Sequence, residues 1–499
     1  MTLRMVAQQA LAREAGLQAI EYEGLWYSWG DLNHVATQIG CLLDAGGVAD
    51  GVPVGFVPRN RPAAVAAELG LIARGQTIRM IYAFQSAAGI ARDLHRLPLA
   101  AVILMAEDLS PEVLTVIRER GLMAITLEGM NAHIVPGAES SRPQVEFDIT
   151  SKPSLQILTS GTTGTPKQVS FDYDFVLQHI VGKHVAYAGE SDVPLTPRLI
   201  TFPLGNVSGV YSTLPPLLRG QRVVLLDRFT VPAWHDYVVR HRPASAGCPP
   251  VGLQMILDAD IPPGDLSSIK SMLTGAAPLD PNVQRAFEDK YGIPVLLSYG
   301  ATEFGGPITL MTLEDYTRYG RDKLGSVGRP FAGAKLRIVD PDTGLERPPG
   351  DEGLLEVQTP RLGSHWIRTS DIAKIDTDGF LWHLGRADGA IMRGGFKLLP
   401  DVIEHAIKLH PSVAAVAVVG VRDARLGQTP AAAIEFRAAA PRPTVAELET
   451  HIRQHVYATH VPTHWAFVEK LPRTPSYKVD IIGVRQLFAN VTVDTAAAT

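Results

Sequence analysis

Cysteine is nearly absent from this chain. Cys41 and Cys248 are its two thiols in 499 residues, and they form no C-x-x-C pair. A disulfide framework, a cysteine-held iron–sulfur cluster and a Cys-rich zinc site are therefore not expected. An excess of positive charge is absent too. Lys and Arg number 46 against 51 Asp and Glu, a net −5 with no basic block, so no nucleic-acid-binding face is expected. No run approaches the ~18 apolar residues needed to span a bilayer. The opening MTLRMVAQQALAREAG lacks the apolar core of a secretory leader, which points to a cytoplasmic location. No G-x-S-x-G elbow and no nucleophilic-cysteine signature occur, so covalent acyl-enzyme chemistry has no candidate. What remains is an ordinary globular balance, 46% apolar and 19% charged, long enough for two to four domains.

Apolar runs alternate with amphipathic segments. A helical pattern over 31–45 precedes the strand-like VPVGFV at 52–57, and a second helical stretch covers 62–74. AAVILM (100–105), RVVLLD (222–227), KSMLTG (270–275) and PVLLSYG (294–300) repeat the strand signal. This is the pattern of an α/β fold with mostly parallel strands. From about residue 325 the character shifts to β-rich, and beyond 390 a helix at 400–410, the run 413–421 and a strand at 430–436 suggest a small α+β domain. The expected division is 1–387 and 388–499. Four glycines (385, 389, 394 and 395) crowd that boundary and suit either a hinge or a loop with several turns.

The most informative stretch is LQILTSGTTGTPKQV at 155–169. An apolar strand runs into a loop holding five hydroxyls, two glycines and a lysine between Thr159 and Lys167. Glycines let backbone N–H groups approach an anion, and lysine adds a point charge. The usual P-loop pattern is absent, and Pro166 disfavours helical geometry at Thr165, so the loop should not lead straight into a helix. By composition alone it could equally be a Ser/Thr-rich surface loop.

Its context decides. The loop resembles the signature of the adenylate-forming superfamily of acyl-CoA synthetases, peptide-synthetase adenylation domains and luciferases. Three more stretches resemble that family's motifs in order: SYGATEFGG (298–306), TSDIAKIDTDGFLWHLGRADGAIMRGGFKLLP (369–400) and LPRTPSYKVD (471–480). The resemblance implies a large N-terminal domain of layered α/β subdomains plus a β-rich subdomain, and a small mobile C-terminal domain. It implies an AMP-forming acid–CoA ligase using ATP, Mg²⁺ and CoA. A carboxylate would attack the α-phosphate to give an acyl-adenylate, and the CoA thiol would then displace AMP.

The resemblance also implies roles. Thr159, Ser160, Gly161, Thr162, Thr163, Gly164 and Lys167 would hold the β- and γ-phosphates. Thr302 would touch the α-phosphate and Glu303 would ligate Mg²⁺, a hard oxygen donor for a hard cation. Tyr299 and Gly300 would face adenine, with Gly275, Ala276 and Ala277 as the opposite wall. Asp371 would accept both ribose hydroxyls, as a two-oxygen carboxylate can, and Arg386 would add a contact. Lys478 would stabilise charge as the two anions meet. Asp388 would be the hinge, and Arg393, Gly394, Gly395 and Phe396 would line the path of CoA. Two departures stand out: Ser370 and Tyr477 occupy positions where the family usually has Gly, and Ser370 is expected to perturb a turn.

The acyl pocket is expected around Asn206, Val207, Val210, Pro249, Phe304 and Gly305. Asn206 stands where an Asp, or the His of many CoA ligases, would be expected. A buried ammonium without a partner costs several kcal/mol, so a hydrophobic acid fits better than an amino acid. A carrier-protein phosphopantetheine loaded in trans, in place of CoA, shares every motif. A luciferase-like oxidation shares them too, whereas a nucleotide-binding homologue without catalysis would be expected to lack Lys478, Glu303 or Lys167. A monomer or homodimer is expected. Among His451, His455, His460 and His464, each i,i+4 pair could share a helix face. Lacking the Glu of H-E-x-x-H, they read as helix surface rather than a zinc site. Asp376 to Gly379 reads as a turn, not a calcium loop.

Overall fold

Short apolar strands and capped helices build two compact units, Met1–Gly325 and Ser326–Thr499. The structure, a computed structural model, describes residues 1–142, 147, 152–159, 167–182, 196–387, 389–393, 396–423, 426–438, 440–456, 458–474 and 477–489. The expected boundary at 387/388 falls inside the second unit, at a residue outside those described.

The largest sheet of the first unit has seven strands, in the order Asn131–Ile134, Met123–Glu128, Ala101–Met105, Pro53–Val57, Thr77–Met80, Ser154–Thr159 and Lys167–Asp172. Its five central strands are parallel and a hairpin closes each edge. Pro53–Val57 and Ala101–Met105 are buried at every position, as central parallel strands covered on both faces must be. Ser154–Thr159 and Lys167–Asp172 pair antiparallel, Thr159 opposite Lys167, and the expectation about Thr165 lies outside the described residues.

The first long helix spans Trp29–Ala45, two residues earlier than its apolar periodicity suggests. The reason is a capping box: Ser28 Oγ accepts from the Asp31 N–H, and the Asp31 carboxylate accepts from the Ser28 N–H. Parallel strands Ser245–Gly247, Ser271–Gly275 and Val295–Ala301, with antiparallel Gly306–Leu310, form another sheet. A four-stranded sheet joins Arg198–Ile200, Val223–Leu225, Gln18–Tyr22 and Leu25–Ser28. Buried Asn60 ties loops together: its Nδ2 donates to the Phe202 and Leu226 carbonyls at 3.1 and 2.9 Å, and its Oδ1 accepts from the Leu204 N–H at 3.0 Å.

In the second unit, Lys335–Val339, Glu352–Gln358, Ile367–Ile375 and Leu381–Arg386 form an antiparallel sheet. A second sheet contains the long pair Val413–Asp423 and Gly427–Phe436, the hairpin Ile391–Arg393 with Phe396–Leu398, and parallel His464–Val468. Asp376 to Gly379 is indeed a turn, with Asp376 Oδ1 accepting from the Asp378 and Phe380 N–H groups. The four histidines do not share a helix. The helix Val445–Arg453 ends before His455, His460 lies in a 3₁₀ turn, and His464 opens a strand. His451 instead packs its ring against His410 and His455. Among the described residues no helix is long and apolar enough to cross a membrane.

The helix Pro62–Arg74 carries Glu68 fully buried, with neither carboxylate oxygen hydrogen-bonded. Burial pushes its pKa up to about 8. The unfolded chain ionises this group near pH 4.5 while the native state keeps the proton, so its contribution to stability is complete at low pH and is lost as pH rises toward 8. Glu68→Gln should therefore stabilise the protein increasingly between pH 5 and 8, by on the order of 1 kcal/mol per pH unit. Urea unfolding at both pH values checks this; an equal gap at pH 5 and pH 8 would show that Glu68 ionises normally.

Candidate active site

The candidate residues of the first unit gather where strands end in turns too crowded for side chains. Gly275 closes the strand Ser271–Gly275 opposite Ser298, and a Cβ there would lie 2.9 Å from the Ser298 carbonyl oxygen. Ala276 follows at φ 68°, so the chain turns away at once. Tyr299 and Gly300 lie in the next strand, where a Cβ on Gly300 would sit 2.4 Å from the Gly306 carbonyl oxygen. Thr302 and Glu303 then occupy a 3₁₀ turn, Thr302–Phe304, that reverses into Gly306–Leu310 through Gly305 at φ 70° and Gly306 at φ 116°. Phe304 is buried beneath the turn and Glu303 is exposed. The turn thus presents one hydroxyl and one carboxylate side by side above an apolar anchor.

The helix that carries Val207 and Val210 meets the same turn through Tyr211. Tyr211, on the helix Val207–Leu218, lies within hydrogen-bonding distance of two carbonyls through its hydroxyl, Gly305 at 2.7 Å and His179 at 3.2 Å. Its ring stands against bare Gly306, and the Phe175 ring stands against bare Gly305. Phe171, Phe175 and His179 form a ladder with ring centroids 5.0 Å apart at each step. Phe175 and His179 escaped the sequence reading: part of this ladder sits on a π-helical segment, Val176–Val181, whose spacing fits neither helix nor strand periodicity. Asn206 caps its helix, Oδ1 accepting from the Gly209 N–H at 2.8 Å. Val207 is half-buried, Val210 is fully buried, and buried Pro249 precedes the helix Pro250–Asp258. Burial pushes the neighbouring Cys248 thiol far above its ordinary range, which removes it as a nucleophile.

Thr159 and Lys167 end the two strands of their hairpin. Ser160, Gly161, Thr162, Thr163 and Gly164 lie outside the described residues, as do Asp388, Gly394 and Gly395. Ala277 follows Ala276 in the turn after the strand.

In the second unit Asp371 stands opposite Arg386 in antiparallel register. Ser370 perturbs no turn: it lies inside the strand Ile367–Ile375, where extended backbone needs no glycine, and its Oγ accepts from the Arg386 guanidinium at 2.6 Å. Arg393 and Phe396 pair across a hairpin, and the Arg393 guanidinium donates to the Thr459 carbonyl. Exposed Lys478 follows a tight turn: the Tyr477 N–H donates to the Thr474 carbonyl at 2.8 Å, and the Thr474 N–H to the Lys478 carbonyl at 2.7 Å. Arg473 and Val479 pair across it.

Among the described residues no three His, Cys, Asp or Glu side chains gather to hold a metal unaided. A single exposed carboxylate such as Glu303 is compatible with Mg²⁺, which commonly takes one or two carboxylates and completes its shell with phosphate and water.

Family likeness identifies the class as the adenylate-forming, ATP-dependent acid–thiol ligases. Residues 6–365 match the model of the AMP-binding enzymes and residues 402–478 that of the AMP-binding enzyme C-terminal domain, and the chain belongs to this family. A sulfoacetate–CoA ligase of Cupriavidus necator is 31% identical over 389 residues, 73% of each chain. A 2-succinylbenzoate–CoA ligase of Bacillus cereus is 28% identical over 454 residues, 86% of this chain and 89% of the relative. The solved amide bond synthetase McbA of Marinactinospora thermotolerans superposes with a TM-score of 0.76 at 25% identity, covering 97% of this chain and 100% of its own.

Tyr477 adopts φ 60°, a left-handed conformation that costs a residue with a Cβ about 1–2 kcal/mol. Tyr477→Gly and Tyr477→Ala both remove the ring and differ chiefly in that cost. The glycine variant should be more stable by about 1 kcal/mol in denaturant unfolding. Equal stabilities would mean that the turn relaxes without strain.

Proposed function

We propose that this chain activates a hydrophobic carboxylic acid with ATP and passes the acyl group to the CoA thiol, releasing AMP. The observation that carries the reading is the Thr302–Phe304 turn, which holds Thr302 and Glu303 together beside the apolar Phe175–Tyr211 wall. In the first half-reaction a carboxylate oxygen forms a bond to the α-phosphorus of ATP, and the bond to the pyrophosphate oxygen breaks with its electron pair. Both reactants are anions, so the protein's contribution is alignment and opposing charge. Lys478 carries that charge to the meeting oxygens, Thr302 donates to the α-phosphate, and Thr159, Ser160, Thr162, Thr163 and Lys167 hold the departing pyrophosphate. Asp371 accepts the ribose hydroxyls, with Arg386 beside it. Glu303 would hold Mg²⁺, which when bound would neutralise phosphate charge. In the second half-reaction the thiol sulfur bonds to the acyl carbon and AMP leaves. Rotation about Asp388 would withdraw Lys478 and bring Arg393, Gly394, Gly395 and Phe396 to the CoA arm. We place the reaction in the cytoplasm, where ATP and CoA are both supplied.

The acid is the open variable. Val207, Phe175 and the bare glycines favour an apolar body, whereas the two CoA ligases named above are named for sulfoacetate and 2-succinylbenzoate, acids carrying a second anionic group. Pyrophosphate exchange over hydrophobic acids, sulfoacetate, 2-succinylbenzoate and free amino acids, followed by thioester formation with and without CoA, decides among them. Hydrophobic acids should drive exchange; strong exchange with an unmodified amino acid would defeat the assignment. A product formed only with a phosphopantetheinylated carrier would replace CoA as acceptor.

Removing one well-placed charge donor lowers a rate by about 10²–10³. Lys478→Ala should slow adenylation by that order while leaving transfer from preformed acyl-adenylate to CoA near normal. Asp388→Pro, with φ locked, should do the reverse. Single-turnover kinetics of each half-reaction reads both. Equal loss of both steps in both folded variants would contradict alternation between two conformations.

A further inference from the structure

Three polar side chains on three elements of the second unit lie close together, one of them the carboxylate assigned to ribose. Asp371 lies in the strand Ile367–Ile375, His383 in its neighbour Leu381–Arg386, and Asp401 in the first turn of the helix Pro400–Lys408. His383 Nε2 is 3.3 Å from Asp371 Oδ1, and the two side chains are only 18% and 13% exposed.

Regular pairing would not allow this contact. Asp371 pairs with Arg386 and Ile372 with Gly385, but Ala373 pairs with His383, so Leu384 is passed over. Without that slip His383 would stand opposite Lys374 and point to the face away from Asp371, because side chains alternate along a strand. The one-residue bulge puts His383 on the same face as Asp371, a re-aiming for which bulges are suited. Gly385 makes the bulge possible: its φ is 133°, and the space of its missing Cβ is filled by Asp401, whose Oδ2 would lie 1.9 Å from such an atom. The three groups also sense one another. Burial raises the pKa of Asp401, His383 draws it down, and Asp371 pushes it up.

We infer that His383 is a positioning residue, donating its Nε2–H to Asp371 and so aiming that carboxylate at the 2′- and 3′-hydroxyls of the nucleotide. The inference rests on the nucleotide-binding assignment made above. The bulge at Leu384 is the device that brings the imidazole there, and Asp401 over Gly385 packs the bulge in place.

The test compares ATP with 2′-deoxyATP in acid-dependent pyrophosphate exchange, for the wild-type protein, His383→Ala and His383→Gln. A ribose hydroxyl met by an oriented, buried carboxylate is worth about tenfold in selectivity. The wild type should prefer ATP by that order. His383→Ala should lose most of the preference through a higher KM for ATP, with kcat changed by less than about threefold. His383→Gln, whose amide N–H can replace the imidazole donor, should recover it. A merely structural role would lower activity on both nucleotides equally, so an unchanged ATP/2′-deoxyATP ratio in His383→Ala overturns the inference, as does a wild type indifferent to the 2′-hydroxyl. If no acid supports exchange, the functional reading fails separately, and the same comparison is made by calorimetric binding of the two nucleotides.

Discussion

Repulsion between two anions is the constraint from which the arrangement follows. A carboxylate and a triphosphate will not approach closely in water, so the protein must supply oriented donors and cations at one place and exclude solvent there. The fully buried parallel strands of the large sheet leave no room for such groups, because their side chains are apolar and their backbone groups are already paired. Of the residues proposed for these roles, Thr302 and Glu303 lie in a turn beyond a strand end, the usual position for ligands in open α/β sheets, and Lys478 follows a turn, whereas Asp371 and Arg386 stand on paired strands. Crowding at those turns sets the local sequence: Gly275, Gly300, Gly305 and Gly306 each lie where a Cβ would strike backbone or an aromatic ring. What reads as a set of sequence motifs is largely a list of places where a chain must pass close to something else.

Much of the fold was legible for the same reason. Fully buried parallel strands must be continuous apolar runs, and Pro53–Val57 and Ala101–Met105 announce themselves. Helix periodicity located the helix ending at Ala45 but missed its start, because the Ser28–Asp31 capping box lies outside the apolar pattern. The histidine pairs were misread as helix surface since spacing alone cannot show that the helix stops at Arg453. Ser370 looked like a disturbed turn because glycine at a motif position suggests special backbone geometry, and here the backbone is a plain strand.

The site was legible only in its charged and glycine-rich parts. Phe175, His179 and Tyr211 form the wall beside Gly305 and Gly306 through contacts between segments about 130 residues or less apart in sequence, and a single sequence carries no trace of that pairing. The bulge that turns His383 toward Asp371 is invisible for a similar reason: register is a property of two strands together. Tyr477 shows the opposite case, a residue type that argues against its own conformation and holds it because the hydrogen bonds of the turn fix the geometry around it.

The central claim is that the substrate carboxylate attacks the α-phosphorus of ATP. The most direct measurement uses the best-exchanging acid labelled with ¹⁸O in its carboxylate, followed by mass analysis of the nucleotide and inorganic products after complete turnover. Attack at the α-phosphorus and later displacement by the thiol leave one carboxylate oxygen on the phosphate, so AMP should carry a single ¹⁸O and pyrophosphate none. Label in pyrophosphate or in inorganic phosphate, with unlabelled nucleotide, would place the attack elsewhere on the triphosphate and contradict the account.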